Sequence, residues 1–338
     1  MDNRRPLPWR ETTDPYRIWL SEVILQQTRV LQGLPYYHRF IEAFPTISEL
    51  ASATEQQVLR LWQGLGYYTR ARNLHKCAQT VVEVYKGTFP CTFDHLQKLP
   101  GIGQYTAAAI ASFAFGEAVA VVDGNVFRIL SRIFGLDIAI NSPQGKKEFS
   151  TLANQLISKK DPALHNQAVM EFGATFCTPR NPRCEECPFK KSCVAFNHDL
   201  INVLPVKTPG KRSRRRYFFY VVVEKDSALL MKKRESKDIW HGLFDFVLIE
   251  KNKPVKTENL MAEKEHQKWF QKIDGMTVSK KYTHILTHQT IHCRFIHIKA
   301  NPAFDLPDKD MSFYAPHEIA QLPKPALISR FLDEQNNH

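Results

Sequence analysis

The stretch KLPGIGQYTAAAI, residues 98–110, decides the fold of the first part of this chain. Gly101 and Gly103 interrupt a run of residues that otherwise favours helix. Glycine tolerates positive φ and has no Cβ, so a Leu-Pro-Gly-x-Gly segment can turn the chain sharply between two helices. The backbone N–H groups of such a hairpin and of the following helix suit an anion such as a DNA phosphate. A plain turn with glycine caps explains the G-x-G pattern equally well.

Length and charge favour a two-domain protein with a polyanionic partner. The chain has 338 residues, more than one average domain, and a formal net charge of +12. Its densest basic cluster is KRSRRR at residues 211–216. Because a phosphate backbone attracts such charge, nucleic acid is favoured as the partner over a merely basic surface.

No part of the sequence has the pattern of a secretion signal or of a membrane span. The first residues lack the combination of a basic start, an apolar core and a small-residue cleavage site. The longest apolar run, residues 107–116, is far shorter than a bilayer requires. These features predict a cytoplasmic protein without a membrane partner.

Four of the seven cysteines crowd into one short segment, FCTPRNPRCEECPFKKSC. The spacing C-x6-C-x2-C-x5-C places four thiolates on a compact loop, as a cubic 4Fe–4S cluster needs. Zinc is the alternative, although four-cysteine zinc sites usually come as two short knuckles and only one C-x2-C is present here. In either case the predicted ligands are Cys177, Cys184, Cys187 and Cys193.

The pattern of apolar residues changes once along the chain, from helical to strand-like. Helical periodicity runs from Asp14 to Asn202, with Asp14 as the predicted N-cap of a first helix and Pro15 at its first position. Residues 203–216 carry prolines, a glycine and the basic cluster, and we interpret them as a solvated linker. Residues 217–338 are rich in β-branched and aromatic residues, which predicts a strand-rich α+β domain.

Several of these motifs resemble one family of repair enzymes. LPGIGQYTAAAI followed by VVDGNV resembles the helix-hairpin-helix base-excision DNA glycosylases, and the cysteine loop resembles their endonuclease III and adenine glycosylase branch. LPWRETTDPYRIWLSEVILQQTRV and LWQGLGYYTRARNLHKCA resemble the A/G-specific adenine DNA glycosylases of the MutY type. The resemblance implies an all-helical glycosylase domain over 1–202 with a 4Fe–4S loop at 177–193. It also implies a monomer that removes adenine opposite 8-oxoguanine or guanine in double-stranded DNA.

Glu22, in WLSEVIL, has the surroundings of a general acid. It shares a helix face with Ile18 and Leu25, so its carboxyl group faces apolar surroundings. Desolvation raises the pKa of a carboxyl group and keeps a proton available near neutrality. A Glu paired with an Arg is the structural alternative, but the family resemblance implies that Glu22 protonates adenine.

Asp123, in VVDGNV, supplies the second carboxylate. The resemblance implies that its charge stabilises the oxocarbenium-like sugar, or traps it as a transient adduct, as in retaining glycosidases. Asn125 and Tyr105 are implied to orient Asp123, the water and the sugar, although Asn125 is also an ordinary turn residue. Tyr105 stands where bifunctional relatives carry a lysine, and since a phenol forms no Schiff base, we expect a monofunctional enzyme.

The remaining site residues follow from the resemblance, because the target base must leave the stack and enter a pocket. Arg10 and Gln167 are implied to surround the flipped adenine together with Glu22. The implied contacts to the DNA duplex are Leu25, Gln27, Thr28, Tyr67, Gly101 and Gly103.

The second domain resembles the Nudix-like C-terminal domain of the same family in RESKDIWHGLFDFV. No Glu-rich metal helix follows this stretch, so magnesium-dependent nucleotide hydrolysis is not expected. The family reads 8-oxoguanine with an aromatic-Ser-His turn, which corresponds here to Leu286, Thr287 and His288. Leu286 replaces the aromatic residue, and without the family His288 would be an ordinary strand-flanking histidine.

Two rival functions remain compatible with parts of this pattern. An endonuclease III-like lyase or thymine-mismatch glycosylase shares the hairpin and cysteine loop, but Tyr105 and the second domain oppose it. A DNA-binding module without catalysis would also use the hairpin and cluster, but it would not need both Glu22 and Asp123.

Overall fold

The computed structural model describes residues 5–210, 213–306 and 310–336, which pack as two compact units. The first unit contains the described residues up to Ala53 together with Arg72–Pro209. The second contains Thr54–Ala71 and the described residues from Gly210 onward. Thr54–Ala71 therefore packs with the second unit, although its sequence lies inside the predicted helical domain.

The structure confirms that the first two-thirds of the chain are mainly helical, as the sequence predicts. They are α1 Pro15–Leu25, α2 Val30–Ala43, α3 Ile47–Ser52, α4 Glu55–Trp62, α5 Thr69–Tyr85, α6 Phe93–Leu96, α7 Gln104–Phe115, α8 Gly124–Phe134, α9 Pro143–Leu156, α10 Pro162–Thr175 and α11 Val194–Asn197. Helix α1 begins as predicted, because the Asp14 side chain accepts a hydrogen bond from the Tyr16 N–H at 2.9 Å and Pro15 occupies the first turn.

Two helices, α1 and α7, form the centre of the first unit. Ile18, Trp19, Leu20 and Ile24 of α1 are essentially inaccessible to solvent. Ala107, Ala109 and Ala111 of α7 are equally buried, and their small side chains let the neighbouring helix pack closely. Helices that are apolar all round belong in the interior of a domain. Residues carried by α1 and α7 are therefore held in fixed positions.

The hairpin predicted from KLPGIGQYTAAAI connects α6 to α7. Gly101 has a φ of +73°, and a Cβ at this position would lie 2.6 Å from the Asn73 Cβ. Gly103 is the N-cap residue of α7 in extended conformation, and a Cβ there would meet no atom within 4 Å. The first glycine is thus required by the turn itself, whereas the second leaves the start of α7 open to a close approach.

The second unit is built around a mixed eight-stranded sheet. Its elements are β1 Arg214–Lys225, β2 Ala228–Lys233, β3 Phe244–Asp245, β4 Val247–Lys251, α12 Thr257–Ala262, β5 Ile273–Val278, β6 Tyr282–Leu286, β7 Gln289–Ala300, β8 Ser312–Tyr314, α13 Pro316–Gln321 and α14 Ala326–Asn336. The central strands β1 and β7 run parallel, and the main strand order is β3-β2-β1-β7-β5. Strands β4, β6 and β8 pair with β1, β7 and β2 respectively.

Both faces of strand β1 are covered, which explains the continuous apolar run YFFYVVV. On one face Phe219 and Val221 pack in a core with Trp269. On the other face Tyr220 stacks on Phe295 with ring centroids 5.5 Å apart. A strand that is buried on both sides needs no alternation of polar and apolar residues.

The basic cluster at 211–216 is partly structural rather than a solvated linker. Strand β1 begins at Arg214, inside that cluster, while Lys211 and Arg212 lie outside the described residues. The Arg216 side chain is only 5% exposed and forms ion pairs with Asp238 and Glu250. Its burial with two carboxylates makes Arg216 part of the second unit's packing.

Every helix in the described parts of the chain is too short or too polar to cross a bilayer.

Replacing Gly101 with alanine should destabilise the first unit more than the same change at Gly116. Both glycines have φ near +70°, and alanine in this region costs about 1 to 2 kcal/mol. At Gly116 a Cβ meets nothing within 4 Å, whereas at Gly101 it overlaps Asn73. Thermal unfolding followed by circular dichroism should therefore show the larger fall in midpoint for Gly101→Ala. Equal falls would contradict a steric requirement at the hairpin.

Candidate functional site

A cavity of about 210 Å³ in the first unit brings together eight of the twelve residues predicted for catalysis, adenine binding or contact with the duplex. Its walls come from the start of the chain, from α1 and α7, and from the N-terminal end of α8 and the face of α10. The predicted residues that line it are Arg10, Glu22, Leu25, Thr28, Tyr105, Asp123, Asn125 and Gln167.

Glu22 lies in the last turns of α1, and only 6% of it is exposed. The Tyr105 hydroxyl on α7 donates a hydrogen bond to Glu22 Oε2 at 2.7 Å. Burial raises the pKa of Glu22 to about 7; the hydrogen bond from Tyr105 opposes this shift, Asp123 adds to it and Arg10 lowers it slightly. A carboxyl group with this pKa can both hold and release a proton near neutrality.

Asp123 is the N-cap residue of α8, where the helix presents unpaired N–H groups. Its Oδ1 accepts hydrogen bonds from the N–H groups of Asn125 and Val126, each at 2.8 Å. Its Oδ2 accepts from the Asn125 side-chain amide at 2.8 Å. Burial raises the pKa of Asp123, and these hydrogen bonds oppose the shift. Three donors surround Asp123 and one contacts Glu22, so the environment favours the anion more at Asp123.

Arg128 on α8 fixes the orientation of Asn125, a role that no motif in the sequence indicates. Its guanidinium donates to Asn125 Oδ1 at 2.9 Å, which turns the Asn125 NH2 group toward Asp123. The same guanidinium donates to the carbonyl oxygens of Gly173 and Cys177. A Cβ on Gly173 would lie 2.6 Å from the Asn125 Cβ, so the glycine permits this close packing. In the sequence Arg128 looks like any arginine on an amphipathic helix.

Tyr105 presents a phenol to the cavity. Burial, together with the charges of Glu22 and Asp123, raises the pKa of this phenol well above its usual value. The hydroxyl is therefore a neutral hydrogen-bond donor. The described residues that line the cavity include two arginines and no lysine.

Residues predicted to reach into the duplex include two with unusual backbone conformation. Gln27, just after α1, has a φ of +57°, and Tyr67 has a φ of +50°. Residues other than glycine rarely adopt this region, and they cluster at ligand-binding sites. Leu25 and Thr28 line the cavity itself, whereas Gln27 does not. Because Tyr67 belongs to the second unit, its conformation is a separate observation.

The four cysteines of the loop suit an iron–sulfur cluster better than zinc. Tetrahedral zinc would hold its thiolate sulfurs about 3.8 Å apart, because each Zn–S bond is about 2.3 Å long. Among the described residues, one group has three His, Cys, Asp or Glu ligand atoms that all lie within 4.8 Å of one another, and it consists of Glu263, Glu265 and His266. The sulfurs of the cysteine loop do not form such a group. Burial and then the charges of the neighbouring cysteines raise the pKa of Cys184. The thiols are therefore close enough to interact electrostatically. The wider spacing fits ligands placed around a cluster.

Arg132 on α8 anchors the start of this loop. Its buried guanidinium donates to the Thr178 carbonyl oxygen at 2.8 Å and lies 3.5 Å from the Cys177 sulfur. It also donates to the carbonyl oxygens of Ile201 and Leu204 beyond the last cysteine. One arginine therefore ties both ends of the cysteine loop to the helix that begins at Asp123.

The turn predicted to read 8-oxoguanine lies between β6 and β7 in the second unit. Thr287 and His288 form a two-residue turn and are exposed, while Leu286 is half-buried at the end of β6. The Tyr67 hydroxyl is in hydrogen-bond contact with Thr287 Oγ1. The second unit thus places an aromatic side chain beside the turn, although the sequence has a leucine at the expected aromatic position.

Three family models match separate parts of this chain. Residues 20–158 match the HhH-GPD superfamily of base excision DNA repair proteins. Residues 177–193 match the iron-sulfur binding domain of endonuclease III, which confirms the predicted cluster loop. Residues 218–334 match the NUDIX domain.

Curated relatives and solved structures are similar to this chain over more than half of its length. An adenine DNA glycosylase of Buchnera aphidicola subsp. Baizongia pistaciae is 33% identical over 88% of this chain and 83% of that protein. The adenine DNA glycosylase of Homo sapiens is 45% identical over 57% of this chain, a match that spans only 37% of the human protein. The solved structure of a thermostable thymine-DNA glycosylase covers 58% of this chain and 90% of that chain, with 31% identity and a TM-score of 0.54.

Replacing Cys187 with serine should lower the iron content of the purified protein, because it removes one cluster thiolate. The matched control is Cys91→Ser, which changes an exposed cysteine outside the loop. We expect the parent and the control to contain the same amount of iron and the same amount of sulfide per chain. Both should show the brown absorbance of the cluster. About one zinc and no iron per chain would contradict the assignment.

Proposed function

We propose a specific reaction for this chain, which belongs to the adenine DNA glycosylase family: it hydrolyses the N-glycosidic bond of adenine mispaired with 8-oxoguanine or guanine, without cleaving the strand. The chain is a base-excision repair glycosylase with a 4Fe–4S cluster. The observation that best supports the finer proposal is the hydrogen bond between Tyr105 and Glu22 in a buried cavity that also contains Asp123.

Glu22 is the general acid in this proposal. Adenine is a poor leaving group until a ring nitrogen, N7 in the family's mechanism, is protonated. The Tyr105 hydroxyl donates a hydrogen bond to Glu22 Oε2, so Oε1 is the oxygen that would present the proton to the base. Because burial raises the pKa of Glu22 to about 7, a substantial fraction of this carboxyl group is protonated at neutral pH.

Asp123 stabilises the sugar after the base departs. Bond cleavage leaves positive charge on the sugar, and a carboxylate beside it lowers the energy of that state or traps it as a transient adduct. The amide of Asn125 and the N–H groups at the start of α8 hold the carboxylate in one orientation. The two carboxyl groups divide the labour because their environments differ.

The phenol at Tyr105 supports a monofunctional enzyme. A lyase needs a lysine that forms a Schiff base with the sugar. Tyr105 supplies a neutral phenol, and no lysine is among the described residues that line the cavity. Strand cleavage should therefore require a separate enzyme or alkali.

DNA binding would use groups on both units. The hairpin with Gly101 and Gly103 offers N–H groups to a phosphate, and Gly103 leaves the start of α7 unobstructed. In the cavity, Arg10 and Gln167 supply polar contacts to a flipped adenine. Leu25, Gln27 and Thr28 follow at the end of α1, where they would contact the duplex around the lesion.

In the second unit, Thr287 and His288 would read the oxidised guanine, with Tyr67 beside them to stack on a base. 8-Oxoguanine differs from guanine by an oxygen at C8 and a proton at N7. An exposed hydroxyl and an imidazole are suitable partners for those two atoms. The contact with Tyr67 supplies an aromatic group that Leu286 does not.

The cluster has a structural place in this proposal. Cys177, Cys184, Cys187 and Cys193 would hold it, and when bound it would close the loop and supply the capacity to carry one electron. The loop is attached to α8 by Arg132 and Arg128. No step of base removal passes through it.

The proposal is tested with duplexes that carry adenine opposite 8-oxoguanine, guanine or cytosine, and thymine opposite guanine. We expect adenine release from the first two only, with strand breaks appearing after alkali treatment. Glu22→Gln should bind the duplex and release no adenine, because its shape is kept while the dissociable proton is lost. Thymine release, strand breaks without alkali, or substantial activity of Glu22→Gln would each contradict a part of the proposal.

The rate of adenine release should fall as the pH rises through 7. The protonated form of Glu22 is the competent one, and its pKa in the folded protein is about 7. The single-turnover rate should be level near pH 6 and fall about tenfold per unit above pH 8. Duplex affinity measured with Glu22→Gln at each pH separates binding from chemistry. A rate that rises between pH 7 and pH 8 would contradict the assignment of the acid.

Replacing Thr287 and His288 together with alanine should reduce selectivity between the two partner bases. Each hydrogen bond lost at a polar group that DNA binding buries costs about 1 to 3 kcal/mol, which is about fivefold or more in rate. Single-turnover adenine release should therefore slow by at least this factor opposite 8-oxoguanine and change little opposite guanine. An equal fall on both duplexes would mean that the turn serves general binding or stability.

A further inference from the structure

We propose that Glu171 on α10 is a positioning residue that holds the Arg5–Arg10 segment as one wall of the adenine cavity and so fixes Arg10 for the flipped base. This inference rests on the proposed function, because Arg10 matters only if a base enters the cavity. Its structural part, the attachment of the segment by Glu171, is tested without any substrate.

The Glu171 carboxylate contacts both ends of the segment. Oε1 accepts a hydrogen bond from Arg5 Nε at 2.7 Å, and Oε2 accepts from Arg5 Nη2 at 2.8 Å. Oε2 also accepts from Arg10 Nη2 at 2.7 Å. The Arg5 pair is bidentate, the geometry in which a guanidinium and a carboxylate bind with the greatest directional specificity. A single side chain thus fixes two arginines that are five residues apart.

The segment between these two arginines forms part of the cavity wall. Arg5, Leu7, Trp9 and Arg10 all line it. Leu7 and Trp9 are buried, and the Trp9 ring packs edge-on against Tyr37 with centroids 5.1 Å apart. A segment at the edge of a domain is ordered only when packing or polar contacts hold it. The apolar contacts set its depth, and the contacts to Glu171 set the direction of its arginines.

Helix α10 provides the common reference for this wall. Gln167 and Glu171 are four residues apart, so they lie on the same face of the helix. Gln167 lines the cavity directly, whereas Glu171 acts through Arg10. Fixing Arg10 to the helix that carries Gln167 holds two polar contacts to the base in one geometry. Misplacement of such groups by about 1 Å can cost a hundredfold in rate.

The charge of Glu171 makes this attachment independent of pH in the working range. Burial acts to raise the pKa of Glu171, but hydrogen bonds and charges from Arg5 and Arg10 outweigh it and lower the pKa to about 2. The carboxylate is therefore ionised over the whole pH range in which Glu22 titrates. It also neutralises part of the positive charge that two arginines bring to a small cavity containing Glu22 and Asp123.

The decisive variant is Glu171→Gln, which keeps the size of the side chain and removes its charge. The matched control is Glu83→Gln, the same change at an exposed position on α5. Hydrogen–deuterium exchange of the DNA-free protein reports the attachment, and single-turnover release of adenine reports its consequence. Affinity for a duplex with a non-cleavable adenine analogue measures DNA binding. The absorbance of the cluster shows whether the iron–sulfur loop is intact.

In Glu171→Gln we expect faster exchange over residues 7–12, with exchange over α1, α7 and α8 unchanged. The single-turnover rate should fall by about tenfold to a hundredfold while duplex affinity stays within about threefold. Glu171→Asp should recover part of both losses because it restores the charge. Glu83→Gln should match the parent in every measurement.

Two outcomes would overturn the inference. Unchanged exchange over residues 7–12 in Glu171→Gln would show that the carboxylate does not hold the segment. Faster exchange with an unchanged rate would show that the attachment has no role in positioning. If Glu171→Gln fails to fold, Arg5→Gln removes only the outer, 41% exposed partner and should show smaller changes of the same sign. Failure of the proposed function is distinguished by a parent enzyme that releases no adenine.

Discussion

The hydrogen bond from the Tyr105 hydroxyl to Glu22 is the contact around which the first unit is organised. It joins the two most buried helices, α1 and α7, at the floor of the cavity. The apolar residues of α1 desolvate Glu22 and raise its pKa to about 7, while the phenol supplies one fixed donor. The same surroundings that stabilise the fold therefore create a carboxyl group able to donate a proton. The cost of burying that carboxyl is the physical condition for its chemistry.

Asp123 shows how the second carboxyl group obtains a different environment from the same cavity. The start of α8 supplies N–H donors, Asn125 supplies an amide, and Arg128 fixes that amide from behind. Arg128 also contacts the carbonyl oxygen of Cys177, and Arg132 holds both ends of the cysteine loop. Helix α8 thus carries the carboxylate at its first turn and the attachment of the iron–sulfur loop on its later turns.

The second unit combines a well-packed sheet with an exposed turn. Strand β1 is buried on both faces and pairs along its length with β7, so the β6–β7 hairpin is held by a well-packed core. Thr287 is at the tip of that hairpin, and Tyr67 reaches it from a segment that sequence alone assigned to the helical domain. The turn proposed to read 8-oxoguanine can be selective on such a scaffold, because its polar groups lose little freedom on binding.

The sequence by itself determined the features that depend on neighbouring residues. Asp14 and Pro15 start α1, the glycine hairpin turns before α7, and the cysteine spacing defines the loop, because caps, turns and ligand spacings are local rules. The resemblance to a family supplied the candidate roles. Only the tertiary structure decided which distant groups meet: Tyr105 and Glu22 are 83 residues apart, and Glu171 and Arg10 are 161 apart. No periodicity encodes such pairs, since packing of whole helices brings them together.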